Sequence, residues 1–415
     1  MEGLNRISGD IPWTEPDITQ MWAEYIADNK SWIEKMGGNI HLFAVGGEHP
    51  EVPGSESIQL WHYNGAVTRM MKSLYEQVSQ RGAEVRHNAA AKKLLTNING
   101  DVVGVRVETG EGHRMDIGAN RGVILACGGF EFDERMKLNY LKTYPAYFYG
   151  SPANTDDGIR MALEVGADLW HMNCCSARAV GKFAEYPWSF PLDFGGKGWT
   201  ARLLKSEGNP EPAGYILVNR YGKRFTSENF KLHCLYYELG LFDTQRLEYP
   251  RIPCYWIFNQ SRIEAGALPL TIAGPAGPQQ LYHWSQENSK ELESDWIISG
   301  ATVEELALKL DIPPDALRTT VNTYNGYCEK GHDPEFKRRP LDLIPLERPP
   351  FYAVRLWPGG ANTRVDPVAT PTARYSIPMV TPYPDSTGPV SWARSTTCFI
   401  PREAAIWPNA SPLGA

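Results

Sequence analysis

The 415-residue chain has no clustered basic residues, no paired-cysteine motif and no long apolar run, and each absence removes a class of function. Its 41 Lys and Arg stand against 48 Asp and Glu, for a formal charge of −7, and the basic residues are scattered. Phosphate recognition along a nucleic acid needs them gathered on one surface, so a nucleic-acid partner is not expected. Seven cysteines occur without a C-x-x-C pair or a C-x-x-C-H. That argues against a disulfide framework, a metal knuckle or a haem attachment, and no metal is expected. Cys174 and Cys175 are adjacent, a pattern more usual for plain buried or half-buried residues than for a dithiol centre. A reducing compartment follows. No segment approaches ~18 uninterrupted apolar residues, and the first residues, MEGLNRISGDIPW, lack a basic start followed by an apolar stretch. The expectation is a cytoplasmic protein with no membrane partner. There is no internal repeat. What is present is 42% hydrophobic residues over a length that suits two or three domains, enough to bury a large core around a small-molecule partner.

The segment TEPDITQMWAEYIADNKSWIEKMGG opens at Thr14 with a T-x-x-D cap. It carries Ile18, Trp22, Tyr25, Ile33 and Met36 at near-helical spacing before Gly37-Gly38, which predicts one long helix. A second helix is predicted over residues 66–81, with Val67, Met70, Leu74 and Val78 on one face and Gly82 as a left-handed cap. The stretch AEVRHNAAAKKLLTNINGDVVGVRVETG predicts a strand, then a hairpin of two more joined by a two-residue turn at Asn99-Gly100. GVILACGG follows, a compact apolar strand stopping at Gly128-Gly129, where a backbone must approach something closely. Between about residues 172 and 346 the texture becomes rich in Pro, Gly and aromatics, as expected of a second domain. It contains the hairpin YILVNRYGKRF and two late helices, one opened by the capping box Thr302-Val303-Glu304-Glu305, the other running from Pro313-Pro314 through Tyr324 to Gly331.

VILACGGFE (residues 123–131), ANTDDGIRMALEVGADL (residues 153–169) and YILVNRYGKRFTSEN (residues 215–229) together resemble FAD-dependent oxidoreductase family 2, the fumarate reductase and 3-ketosteroid dehydrogenase type. TVEELALKLDIPPDALRTTVNTYNGYCEKGHDPEF and PPFYAVRLWPGGANT resemble the closing helices of that family's cap and the strand returning from it. Five patterns in the family's order, spanning residues 12–363, say more than one glycine motif. The resemblance implies an α/β FAD-binding domain of the Rossmann-like, glutathione-reductase type, interrupted by an α+β capping domain. Residues 1–171 and 347–363 would form the first and residues 172–346 the second. FAD is the implied cofactor.

By the same resemblance, Ala126, Cys127, Gly128 and Gly129 lie beside the cofactor, and the backbone of Ala91, where the family usually has Val, lies along the adenine. Asp157, in a helix start of the T-G-D-G kind with Asp156 in place of a family glycine, would hold ribityl or ribose hydroxyls. Read without the resemblance, Asp157 is equally a simple helix cap and Gly128-Gly129 a strand terminator. Relatives move a hydride between flavin N5 and a carbon near a carbonyl or carboxylate while a side chain handles the neighbouring proton, so a C=C bond is made or reduced. Glu228 and Arg262 are the implied candidates for the proton path. Read by residue type alone they are solvated surface charges in a hairpin and a turn. Arg262 stands one place off the family's arrangement, and Lys231 stands where fumarate reductases carry an arginine. Leu356-Trp357-Pro358-Gly359-Gly360 lacks the histidine pair of dicarboxylate reductases. With aromatics abundant in the second domain, a steroid-like ketone is favoured over a dicarboxylate.

Two family pieces are expected and not found. A strand with a G-x-G-x-x-G turn should precede Thr14, and the one near match, Gly196-Lys197-Gly198-Trp199-Thr200-Ala201, lacks the strand-turn-helix context. After Thr363 a glycine-rich end should follow, whereas the chain reads RVDPVATPTARYSIPMVTPYPDSTGPVSWARSTTCFIP. Read in the shifted frame, permitted codons can spell GGPRRNA, LDP-x-GDPIPRLYGAGELGS and MLYPAGGGNLAECLAFGR, with Met379-Val380 and Trp392-Ala393 each forcing Gly and Trp407-Pro408 forcing Ala. Residues 364–415 are therefore expected to be an irregular, out-of-frame tail. Two functions follow as expectations: an FAD-dependent oxidoreductase, or a non-catalytic truncated remnant of one. The lost pyrophosphate turn, at about 0.5–1.5 kcal/mol per backbone hydrogen bond, makes poor FAD retention the expectation, and an unpaired sheet edge makes solubility marginal.

Overall fold

The structure is a computed structural model that describes residues 23–46, 53–64, 66–170, 172–195, 213–229, 234–270, 282–363, 366–368 and 398–401. The start of the predicted first helix, the Gly196–Ala201 pattern, Lys231 and most of residues 364–415 lie outside this set.

Helix α1 (Asp28–Lys35) ends as its glycines predict, Gly37 at φ +79° and the Gly38 N–H donating to the Ile33 carbonyl. Strands β1 (Ile40–Val45) and β2 (Gln59–Tyr63) pair antiparallel, and helix α2 (Ala66–Gln80) stops at Gly82, φ +74°. Strands β3 (Ala89–Thr96), β4 (Val102–Thr109) and β5 (Arg114–Gly118) form an antiparallel three-stranded sheet. The expected two-residue turn is longer: the Asn97 N–H donates to the Asp101 carbonyl, and the Asn97 side chain accepts from the N–H groups of Asn99 and Asp101. Asn97 thus builds an Asx turn, and only Gly100, φ +88°, needs the left-handed region. The strand expected over residues 83–87 does not form, because a strand exists only against a partner and no described segment supplies one.

Strand β6 (Gly122–Leu125), helix α3 (Glu134–Tyr140), strand β7 (Tyr147–Phe148), helix α4 (Asp157–Glu164) and strand β8 (Asp168–Trp170) lead into a seven-stranded sheet that also takes in β7. Its other members are β9 (Cys175–Gly181), β10 (Phe190–Pro191), β11 (Tyr215–Val218), β12 (Cys254–Asn259), β13 (Ile298–Gly300) and β14 (Phe351–Thr363). Helix α5 (Cys234–Leu239) precedes β12, helices α6 (Gln260–Glu264) and α7 (Ser289–Glu293) follow it, and α8 (Val303–Leu310) and α9 (Pro314–Lys330) come before β14. The 13-residue β14 is the spine: its first half lies between β12 and β13, its second between β9 and β7. Residues 351–363, expected to re-enter the first domain, run through the sheet of the second and meet the first at β7 and, through Thr363, at Phe130 and Glu131.

The sheet is covered on both faces, which is why YILV and CYWIFN are continuous apolar runs rather than alternating ones. Tyr215, Leu217, Cys254, Trp256 and Phe258 face a core built with Phe183, Phe190 and Trp296. Ile216, Val218, Tyr255 and Ile257 face Leu306 and Leu310 of α8 and Leu317, Val321 and Tyr324 of α9, whose spacings make one apolar stripe on each helix. The first region's core around Leu94, Val102, Leu125, Met161 and Ala162 is much smaller. The tail contributes two short strands, β15 (Asp366–Val368) against β8 and β16 (Cys398–Pro401) against β6, where irregular chain was expected. Among the described residues only β7 and β14 pair in parallel, no helix is long and apolar enough to cross a membrane, and no group of three or more His, Cys, Asp or Glu is placed to hold a metal.

Candidate functional site

The end of β6, the start of α4 and the end of β14 meet. Gly128 takes φ +78°, and a side chain there would run into that of Asn154. Gly129 is buried, and its Cβ would collide with Thr363 Oγ1 and lie 2.7 Å from Glu131 Oε2. The Asp156 N–H donates to the Gly129 carbonyl at 3.1 Å and the Phe132 N–H to the Asn154 carbonyl at 3.1 Å, lacing the strand end to the loop before α4.

Asp156 occupies the left-handed region at φ +69°, the physical reason for a glycine at that place in relatives. Burial raises its carboxyl pKa, partly offset by the ion pair with Arg160. Asp157, the first residue of α4, is exposed, and among the described residues its carboxylate accepts from the Thr155 hydroxyl at 3.1 Å. A Cβ on Gly158 would lie 2.9 Å from that of Cys127, so α4 abuts the strand end. Partial desolvation pushes the Cys127 thiol up although the residue is exposed, and the Asp157 charge adds to this, so the thiolate is disfavoured. Ala126 and Cys127 are exposed at the strand end. Ala91 joins from β3, half-buried on the same cluster as Met161 and Ala162 of α4. Ala91, Cys127, Gly128 and Gly129 thus lie against α4 or the loop before it, Asp157 begins the helix, and Ala126 precedes Cys127 on the strand end.

Glu131, which sequence reasoning passed over although it ends VILACGGFE, fastens this junction. It is fully buried and accepts from the Asn154 amide, the Thr363 hydroxyl at 2.8 Å and the Thr363 N–H at 3.3 Å; the Phe130 N–H in turn donates to Thr363 Oγ1 at 3.0 Å. Among the described residues no cation pairs with it, and burial raises its pKa, partly offset by these bonds. An acid directly after a Gly-Gly-Phe strand end was the available signal.

Glu228 and Arg262 lie elsewhere and apart, and neither is the solvated surface charge that residue type suggested. Glu228 is 4% exposed: Oε1 accepts from Arg224 Nε at 3.0 Å and from the Leu217 N–H at 3.2 Å, and Oε2 from Arg224 Nη2 at 2.6 Å, with Arg338 3.4 Å away. Arg224 also bridges to Asp333 at 2.9 Å. Arg262 is fully buried, donating to the carbonyls of Asp193, Gly266 and Ala267, and desolvation pushes its pKa down to about 10. The turn after β12 is wrapped around that guanidinium, which is why it is interior.

A family model described as an FAD binding domain matches residues 17–363. The 4-oxocyclohexanecarboxylate 2-dehydrogenase of Sinomonas cyclohexanicum is 28% identical over 309 residues, 68% of this chain and 48% of its own length. The 3-oxosteroid 1-dehydrogenase of Mycobacterium tuberculosis is 29% identical over 312 residues, 69% of this chain and 50% of its own. Among solved structures, a 3-ketosteroid delta1-dehydrogenase from Sterolibacterium denitrificans superposes with a TM-score of 0.59 at 21% identity, covering 82% of this chain and 58% of that one. At that identity the likeness speaks for the fold. The chain spans about half the length of the curated relatives it matches.

Proposed function

Because the chain belongs to the FAD binding domain family, whose model spans residues 17–363, we propose that it acts as an FAD-dependent oxidoreductase on a CH–CH bond next to a carbonyl. The convergence of residues 126–129, the first turn of α4 and Ala91 carries this reading. Side-chain-free Gly128 and Gly129 keep the strand end flat, and the first N–H groups of α4 lack intrahelical partners, so the junction suits the polar part of a dinucleotide. Asp157, with open acceptor positions, would take the ribityl or ribose hydroxyls, and the backbone at Ala91 would lie along the adenine. Bound there, FAD supplies the hydride acceptor or donor. The chain's part is to position the substrate, exclude water and manage the proton on the neighbouring carbon.

In this reading the first region is the Rossmann-like cofactor domain and the double-covered sheet is the cap. Glu228 and Arg262 serve the cap's architecture, since each is engaged by groups of the cap itself. The proposed substrate is a ring ketone. Both curated relatives are named for oxo-ring compounds, and residues 356–360 carry no histidine for a dicarboxylate.

The test is a visible absorption spectrum of the chain purified with added FAD and desalted. Flavin bands that stay with the protein are the result this reading requires, against the poor retention expected from the missing pyrophosphate turn. A colourless, folded protein would overturn the reading in favour of a non-catalytic remnant.

A further inference from the structure

Glu131 is a buried acid that the proposed chemistry does not use. It joins three chain segments: its own strand end, the loop before α4 through the Asn154 amide, and the end of β14 through the hydroxyl and N–H of Thr363. Its Oε2 lies 2.7 Å from where a Gly129 Cβ would stand, and its Oε1 3.5 Å from where a Gly150 Cβ would stand. The carboxyl therefore fills space that a Gly129 side chain would need, immediately behind the turn proposed to carry the cofactor. Either protonation state has partners there. The carboxylate takes the donors as they stand. The acid can donate to Thr363 Oγ1, or to the Asn154 oxygen with that amide turned over, because an amide presents a donor on one side and an acceptor on the other.

What separates the two states is charge. FAD carries a diphosphate diester that stays dianionic wherever the protein is folded, and a charge buried behind main chain feels it strongly because little water lies between. The charged groups on the surrounding elements do not offset this repulsion. Around α3 stand Asp133, Glu134, Arg135 and Lys137, of which Lys137 is paired with Glu134. The start of α4 brings Asp156 and Asp157, and its Arg160 is paired with Asp156. Arg178 of β9 stands opposite Gly359, and Arg355 of β14 lies beyond that, both up the sheet from Thr363. The nearby Cys127 thiol is pushed up and is neutral below about pH 8.

We infer that Glu131 positions the cofactor turn as a neutral acid, so that FAD binding draws a proton from solvent onto its carboxylate and the chain holds FAD more tightly at acid than at alkaline pH. This rests on the FAD reading above. Glu131 acts through Gly129 and Thr363 and is a positioning residue. With FAD bound, its carboxyl holds a proton to higher pH than in the free chain. Affinity is then full below the free carboxyl's pKa and is lost as pH rises through that of the FAD-bound one.

FAD would be titrated into the full chain by calorimetry from about pH 5 to pH 8, at each pH in two buffers of different ionisation enthalpy, for wild type and Glu131→Gln. Wild type should weaken by about tenfold or more across the range and take up protons on binding. Glu131→Gln, the shape of the neutral acid, should keep the acid-limit affinity at every pH and take up none. A wild-type affinity that does not change with pH, or binding without proton uptake, overturns the inference whatever the variant does. A slope that survives in Glu131→Gln overturns it too and assigns the titration to Asp156 or Asp157. A wild type that binds no FAD at any pH sinks the oxidoreductase reading and this inference together, whereas pH-independent FAD binding sinks this inference alone.

Discussion

Glu131 carries its consequences in its protonation. Burial without a cation raises its pKa in the folded protein above the usual 4.5, so folding favours the protonated form. Its contribution to stability is full below 4.5 and is lost as pH rises through the raised value. Glu131→Gln, which keeps shape and hydrogen-bonding reach without the charge, should therefore flatten that decline, whereas Glu131→Ala should cost about 1–3 kcal/mol by leaving Asn154 and Thr363 unsatisfied. Urea denaturation of both variants across pH 4–8 checks this; a Gln variant as pH-dependent as wild type would contradict it. Asp157, Gly128 and Gly129 were legible in the sequence because glycine and helix-start chemistry are local. Glu131 was not, because its partner Thr363 lies 232 residues away.

Among the elements, α8 shows how far local signals reach. The Thr302 hydroxyl accepts from the Glu305 N–H at 3.1 Å, as the capping box predicts, while the Glu305 carboxylate takes the N–H of Ala301 at 2.9 Å. The hairpin around β11 was equally readable, but what pins it was not. Arg224 joins Glu228 of its own hairpin to Asp333, 109 residues on, and all three are buried. Removing the cation leaves buried Asp333 without its ion pair and Glu228 with Arg338 alone, so Arg224→Met should destabilise by about 3–5 kcal/mol. A loss under 1 kcal/mol in equilibrium denaturation would show that the carboxylates find water or each other's protons instead.

Across the whole molecule the two regions differ in how much they bury. The seven-stranded sheet is packed on both faces, whereas the β3–β4–β5 sheet rests on a small cluster and exposes alternate residues. Native-state hydrogen exchange should find the slowest amides in β11, β12 and the first half of β14, with β3 to β5 opening at lower free energy. Uniform protection across both sheets would mean that the small cluster is as cooperative as the large cores.

Periodicity, capping and turn chemistry act over a few residues, so the family, the places of α2, α8, α9 and the β11 hairpin, and the strand-ending Gly128 and Gly129 were readable from the chain alone. Only the tertiary structure showed that β14 is the spine of the seven-stranded sheet, that residues 83–87 find no strand partner among the described residues, and that Glu228 and Arg262 are interior. These depend on strand register and on partners a hundred or more residues apart, and such pairings leave no periodic mark in the chain.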